Sequence, residues 1–134
     1  MFLKYNWKAL CWALFILVLC GIPGSDMPHF SWMEILSFDK IAHSFVFCML
    51  VVLGCIGLAK QYKAQGKRSN VVWPILLFAL VYSPVTEFLQ DAVFVERTAE
   101  LLDMVANWVG CFVGIWIYRR YFANRSMLKD NAST

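Results

Sequence analysis

The sequence predicts an all-α protein, a four-helix bundle that spans a membrane. Hydrophobic residues make up 60% of its 134 residues and charged residues only 16%, and the apolar residues fall into four long runs. A soluble domain of this length has too much surface for its volume to bury so many apolar side chains. We therefore expect an integral membrane protein rather than a soluble globular domain, a disordered chain or a disulfide scaffold.

The first two predicted helices cover residues 7–22 and 41–59. A spanning helix needs about 20 residues, and the second run reaches this length with His43 as its only interruption. Lys4 and Lys8 before the first run also resemble the start of a signal peptide. Because no A-x-A cleavage site follows, we interpret this run as an uncleaved helix.

The other two predicted helices cover residues 71–90 and 101–121. Ser69 or Asn70 is expected to cap the third helix. The apolar part of the fourth is short, and Tyr118 and Tyr121 extend it into the membrane interface. The four helices form one predicted domain over residues 1–123, and residues 124–134 form a polar cytoplasmic tail.

The positively charged residues predict the orientation, because short cytoplasmic segments of membrane proteins are rich in Lys and Arg. Ten of the 12 lie at or before the start of helix 1, between helices 2 and 3, or at or after the end of helix 4. The other two connections contain only Lys40 and Arg97. Both termini are therefore expected in the cytoplasm, with connections 1–2 and 3–4 outside.

The cysteines, histidines and basic residues give little support to a disulfide, a metal site or nucleic acid binding. The five cysteines lie inside apolar runs without CxxC spacing, so we interpret them as buried apolar side chains. The two histidines and the carboxylates show no metal-ligand spacing, so we expect neither a metal nor a cofactor. Nucleic acid binding is not expected, since the basic residues are split among three segments beside membrane helices. The sequence identifies no protein partner.

Polar side chains at the predicted outer ends of helices 2, 3 and 4 form the candidate site, a recess open to the outer face. Asp39 lies one helical turn before His43 and is expected to orient it or to help neutralise Lys40. Arg97 is expected to pair with Glu87 or with a carboxylate of helix 4. The predicted ligand-binding residues are Asp39, Lys40, His43, Glu87, Gln90, Arg97, Asp103 and Asn107.

Helix 4 carries a stripe of residues that favours close packing. Asp103, Asn107, Gly110 and Gly114 follow steps of four, three and four, which keeps them on one face of the helix. Small residues let a neighbouring backbone approach closely. We therefore expect Gly110 and Gly114 to pack against a neighbouring helix and to direct the two polar residues into the bundle.

These residues also form ordered motifs. The motifs are Asp39-Lys40-Ile41-Ala42-His43, Glu87-x-x-Gln90, Arg97 and Asp103-x-x-x-Asn107-x-x-Gly110-x-x-x-Gly114. This order resembles the VanZ-like family of small bacterial membrane proteins. One departure is the stretch just before Arg97. This chain has Val95-Glu96 in that stretch, where the family commonly has a small residue or a proline-glycine. The resemblance implies a multi-pass protein of the bacterial inner membrane. The family is named for a protein that confers low-level teicoplanin resistance, and it assigns no chemical role to individual residues.

Three functions fit this sequence. The first is binding of an amphiphile at the outer face: a membrane lipid headgroup, a lipid-linked envelope precursor or a lipoglycopeptide such as teicoplanin. The second is an enzyme for hydrolysis or group transfer, in which His43 is a general base oriented by Asp39, Glu87 is an acid and Arg97 stabilises negative charge. The third is a packing subunit of a larger complex. Since no nucleophile elbow, HExxH motif or phosphate loop occurs, we favour binding over catalysis.

Overall fold

The computed structural model describes residues 1–20, 32–67, 69–93 and 101–123. These residues form four helices: α1 (Phe2–Cys20), α2 (Trp32–Ala64), α3 (Val72–Val93) and α4 (Leu101–Ile117). A π-helical segment, Tyr118–Ala123, continues α4. All four helices are long and apolar enough to cross a membrane. The predicted four-helix fold class is confirmed.

The helices extend beyond several of the predicted boundaries. The 33 residues of α2 correspond to about 50 Å at 1.5 Å per residue, whereas the prediction covered only residues 41–59. An apolar run marks only the part of a helix that lies in hydrocarbon, about 30 Å thick, and backbone hydrogen bonding continues through the polar residues on either side. For the same reason α1 begins at Phe2 rather than at Trp7. The end predicted for α1, residues 21–22, lies outside the described residues.

The connection between α2 and α3 is defined at both ends by specific hydrogen bonds. Gly66 has a φ of 65°, and the Lys67 amide donates to the Tyr62 carbonyl at 2.9 Å. This is the Schellman motif at the end of a helix. It needs a residue in the left-handed conformation, which glycine adopts without steric cost. The Asn70 side chain accepts a hydrogen bond from the Val72 amide at 2.9 Å, so Asn70 caps α3.

Helix α2 is the centre of the bundle. It packs against each of the other three helices, and its most extensive interface is with α4. The large apolar side chains that are almost fully buried in this core are Ile16, Phe47, Leu50, Val51, Cys55 and Cys111. Most of the exposed apolar side chains point away from this centre, as expected for a surface that lies against lipid. Cys48, Cys55 and Cys111 are buried as predicted, whereas Cys11 is exposed, and the side chain of Cys20 lies outside the described residues.

Helix α1 is tied to the bundle by hydrogen bonds from aromatic side chains. Trp12 Nε1 donates to the Val46 carbonyl at 2.9 Å, and the Tyr82 hydroxyl donates to the Ala13 carbonyl at 2.7 Å. These bonds satisfy polar atoms in the middle of apolar helices, where an unpaired donor would be costly. They hold α1 in register with α2 and α3.

Candidate binding site at one end of the bundle

The glycines of α4 allow it to lie directly against α2. A Cβ atom added at Gly110 would overlap the backbone carbonyl of Ser44, and one added at Gly114 would lie 2.7 Å from the Cys48 carbonyl oxygen. Side chains at these two positions would therefore force the helices apart. The close approach brings the polar residues at the start of α4 within reach of the side chains at positions 39–43 of α2.

The first contact across this interface is an ion pair. Lys40 Nζ of α2 lies 2.9 Å from Asp103 Oδ1 in the first turn of α4. The Asp103 side chain is 10% exposed and the Lys40 side chain 24%, so the pair is largely shielded from water. A carboxylate in this setting needs a partner, because burial of an isolated charge is costly. Asp103 also lies near the N-terminus of α4, where the helix dipole favours negative charge.

One turn further along both helices, His43 meets Asn107. His43 Nδ1 lies 3.1 Å from Asn107 Oδ1. The amide nitrogen of Asn107 donates instead to α3, to Ser83 Oγ at 3.0 Å and to Glu87 Oε1 at 3.4 Å. A carbonyl oxygen can only accept. The contact therefore requires His43 to carry its proton on Nδ1.

The other ring nitrogen of His43 points at two carboxylates. Nε2 lies 3.8 Å from Asp39 Oδ1 and 3.8 Å from Asp103 Oδ2. Ligand-type atoms of these three residues all lie within 4.8 Å of one another. Two helices thus present an imidazole nitrogen and two carboxylate oxygens to the same small volume.

The side of this site formed by α3 is deeply buried. Ser83 and Asn107 are completely inaccessible, and Glu87 is 6% exposed. Glu87 is four residues after Ser83, so both side chains point from one face of α3 towards α4. We call the seven residues of this site the polar cluster: Asp39, Lys40, His43, Ser83, Glu87, Asp103 and Asn107.

Comparison with known proteins identifies the family. A model of the VanZ/LLP1 family matches residues 3–124. The chain belongs to the VanZ/LLP1 family. The match spans all four helices and confirms the resemblance found in the sequence motifs. Neither the search of curated proteins nor the search of solved structures found a match.

For this VanZ/LLP1 chain, the structure brings together six of the eight ligand-binding residues predicted from the sequence: Asp39, Lys40, His43, Glu87, Asp103 and Asn107. The Gln90 side chain and the whole of Arg97 lie outside the described residues. The expected pairing of Arg97 with Glu87 or Asp103 therefore stays a prediction.

Sequence reasoning missed Ser83. This residue interrupts an apolar run one turn before Glu87, and that spacing is the signal that could have indicated it. It is also the residue before Pro84, inside the third apolar run. In the structure α3 runs through Pro84 without ending, and the Ser83 hydroxyl accepts the hydrogen bond that anchors Asn107.

Proposed function

We propose that this VanZ/LLP1 protein binds the headgroup of an amphiphile at the polar cluster. The observation that carries the proposal is the convergence of polar and charged side chains from three helices at one end of an apolar bundle. Ionisable residues are costly beside hydrocarbon, and those that occur there usually face a partner or a water-filled cavity. A headgroup that enters from the membrane surface would supply such a partner.

The charges of the polar cluster indicate which headgroup chemistry fits. Among the described residues, the polar cluster holds three carboxylates, Asp39, Glu87 and Asp103, and one lysine, which pairs with Asp103. Carboxylates accept hydrogen bonds and attract cations. The polar cluster therefore favours sugar hydroxyls, amines and peptide N–H groups. Lipid-linked sugar precursors and lipoglycopeptides such as teicoplanin combine these groups with an acyl or isoprenoid tail.

The apolar side chains of α2 at the level of the polar cluster face the lipid. Phe38, Ile41 and Phe45 are spaced by three and four residues, so they share one face of α2, and all three are more than half exposed. At about 100° per residue, this face is on the opposite side of α2 from Lys40 and His43. An amphiphile with its headgroup in the polar cluster would extend its tail into the lipid around the bundle.

The distribution of Lys and Arg favours placing the polar cluster at the outer face of a bacterial inner membrane. Lipid-linked envelope precursors are used on that side, and glycopeptide antibiotics arrive there. Where the bound amphiphile is an antibiotic, binding would contribute to glycopeptide resistance. Where it is a lipid-linked precursor, binding would serve envelope synthesis.

Binding to the purified protein tests this proposal. We expect teicoplanin to bind saturably to the protein in lipid nanodiscs, more tightly than a glycopeptide without an acyl tail. Asp39→Asn should weaken teicoplanin binding more than about tenfold, equivalent to about 1.4 kcal/mol, because it removes a negative charge and replaces one acceptor oxygen with a donor at a partly exposed position of the polar cluster. Lys67→Gln, which changes an exposed residue in the α2–α3 connection, is the control and should bind as the wild type does.

Two results would contradict the binding proposal. One is no saturable binding of either teicoplanin or a lipid-linked sugar. The other is equal affinity in the Asp39→Asn and Lys67→Gln proteins, which would place binding elsewhere on the chain.

The oriented imidazole of His43 favours a second candidate, an enzyme that performs acid–base hydrolysis or group transfer on a lipid-linked substrate. With its proton on Nδ1 and donated to Asn107 Oδ1, which orients the ring, His43 has Nε2 available as a general base. The same nanodiscs, incubated with a lipid-linked sugar, distinguish the two functions. Turnover that His43→Gln abolishes while binding persists would favour the enzyme.

A further inference from the structure

We propose that Asp39, His43 and Asp103 form a site for a divalent metal ion, for which Zn²⁺ is the best match. The site uses three residues of the polar cluster, but the proposal does not require an amphiphile to bind there. It rests on His43 Nε2, an oxygen of Asp39 and an oxygen of Asp103 facing one another within 4.8 Å.

The separations within this group suit an ion better than direct hydrogen bonds. His43 Nε2 is 3.8 Å from each carboxylate, and N–H···O hydrogen bonds measure about 2.7–3.2 Å. Two ligands of a tetrahedral Zn²⁺, each bound at about 2.1 Å, lie about 3.4 Å apart. The two distances from His43 would shorten by about 0.4 Å on coordination, and the distance between the two carboxylate oxygens, at most 4.8 Å, by up to about 1.4 Å.

The hydrogen bond between His43 and Asn107 supports the same conclusion. Nδ1 faces Asn107 Oδ1, which leaves Nε2 as the ring nitrogen that faces Asp39 and Asp103. A metal-bound histidine typically donates its other N–H to an oxygen acceptor, and Asn107 is in that position.

The neighbouring lysine and the ion would use different oxygens of Asp103. Lys40 contacts Oδ1 of Asp103, whereas Oδ2 is the oxygen that faces His43. One carboxylate can thus hold the lysine with one oxygen and bind an ion through the other. Three protein ligands leave at least one position of a four-coordinate Zn²⁺ open, and a water molecule or an oxygen of a small ligand would fill it.

The sequence showed no such site because its ligands are not close along the chain. Asp39 and His43 share one helix face, but the third ligand is 60 residues after His43. Only the close packing of α4 on α2 brings Asp103 to them. The resulting ligand set of one imidazole and two carboxylates suits Zn²⁺ and other borderline divalent ions.

Metal titration of the full-length protein in nanodiscs, without any amphiphile, tests this site. After treatment with a chelator, we expect the protein to bind one Zn²⁺ per chain by calorimetry. Co²⁺ should give the visible absorption of a low-coordinate nitrogen and oxygen site. His43→Gln and Asp39→Asn should each weaken Zn²⁺ binding more than about tenfold, since even residues that only orient metal ligands change affinity about 10- to 100-fold.

Two controls keep the result interpretable. His29→Gln removes the other histidine of the chain and should leave the affinity unchanged. Asp39 lies at the partly exposed edge of the polar cluster, so its variant is expected to fold even if the His43 variant does not. The absence of stoichiometric Zn²⁺ binding, or equal loss in the two histidine variants, would overturn the proposal. Either result would leave the amphiphile measurement unaffected.

Discussion

Gly110→Ala is expected to destabilise the bundle by about 3 kcal/mol, the upper part of the range for overpacked cores. The added methyl group would overlap the Ser44 carbonyl oxygen of α2. Backbone atoms cannot rotate away as a side chain can, so α2 and α4 must separate along their interface. We expect the midpoint of unfolding by SDS in bicelles, followed by the fluorescence of the six tryptophans, to fall markedly.

Gly54→Ala is the matched control for this substitution. The same methyl group added there would meet the side chain of Ile75, at 3.0 Å from its Cγ2 atom, and that side chain can change rotamer. Its effect should be small, within about 1 kcal/mol. Similar midpoints for the two alanine variants would show that α4 does not lie against the α2 backbone.

Asn107→Leu is expected to cost about 2 kcal/mol, because one side chain supplies hydrogen bonds to two other helices. Asn107 accepts from His43 of α2 and donates to Ser83 and Glu87 of α3. Leucine has a similar volume but can neither donate nor accept. The variant should unfold at a lower SDS concentration, and it should also lose Zn²⁺ affinity because His43 loses the acceptor that orients its ring.

Thr86→Val is the control for Asn107→Leu. It removes a buried polar atom without breaking a hydrogen bond between helices. Thr86 is 1% exposed, but its hydroxyl donates to the Ser83 carbonyl of its own helix at 2.7 Å. Its loss should therefore leave the contacts between helices intact and change stability by less than half as much. Equal losses in the two variants would mean that Asn107 does not link the helices.

The fold was predictable from the sequence because each membrane-spanning helix appears in it as a long apolar run. The four apolar runs gave the number of helices and their order. Their ends were less predictable, since backbone hydrogen bonding carries α2 beyond the apolar run through polar residues such as Lys40 and Lys60. The end of α2 at Gly66 depends on a backbone conformation rather than on hydrophobicity.

Contacts within one helix face were predictable in the polar cluster, and contacts between helices were not. The spacing of Asp39 and His43 places them on one face of a helix whatever the tertiary structure. The pairing of Lys40 with Asp103 depends on how far α4 is rotated and shifted along α2. The two glycines of α4 determine that arrangement, and a sequence pattern shows only that some neighbour approaches them.

The central claim is that residues far apart in sequence meet at one end of the bundle, and charge reversal at Lys40 and Asp103 tests it most directly. Unfolding midpoints would be measured for Lys40→Glu, Asp103→Lys and the double variant. Each single reversal places like charges together, whereas the double reversal restores an ion pair. We predict that the double variant is more stable than the sum of the single effects implies by about 1 kcal/mol or more. Additivity within about 0.5 kcal/mol would show that the two side chains do not meet and would contradict the account.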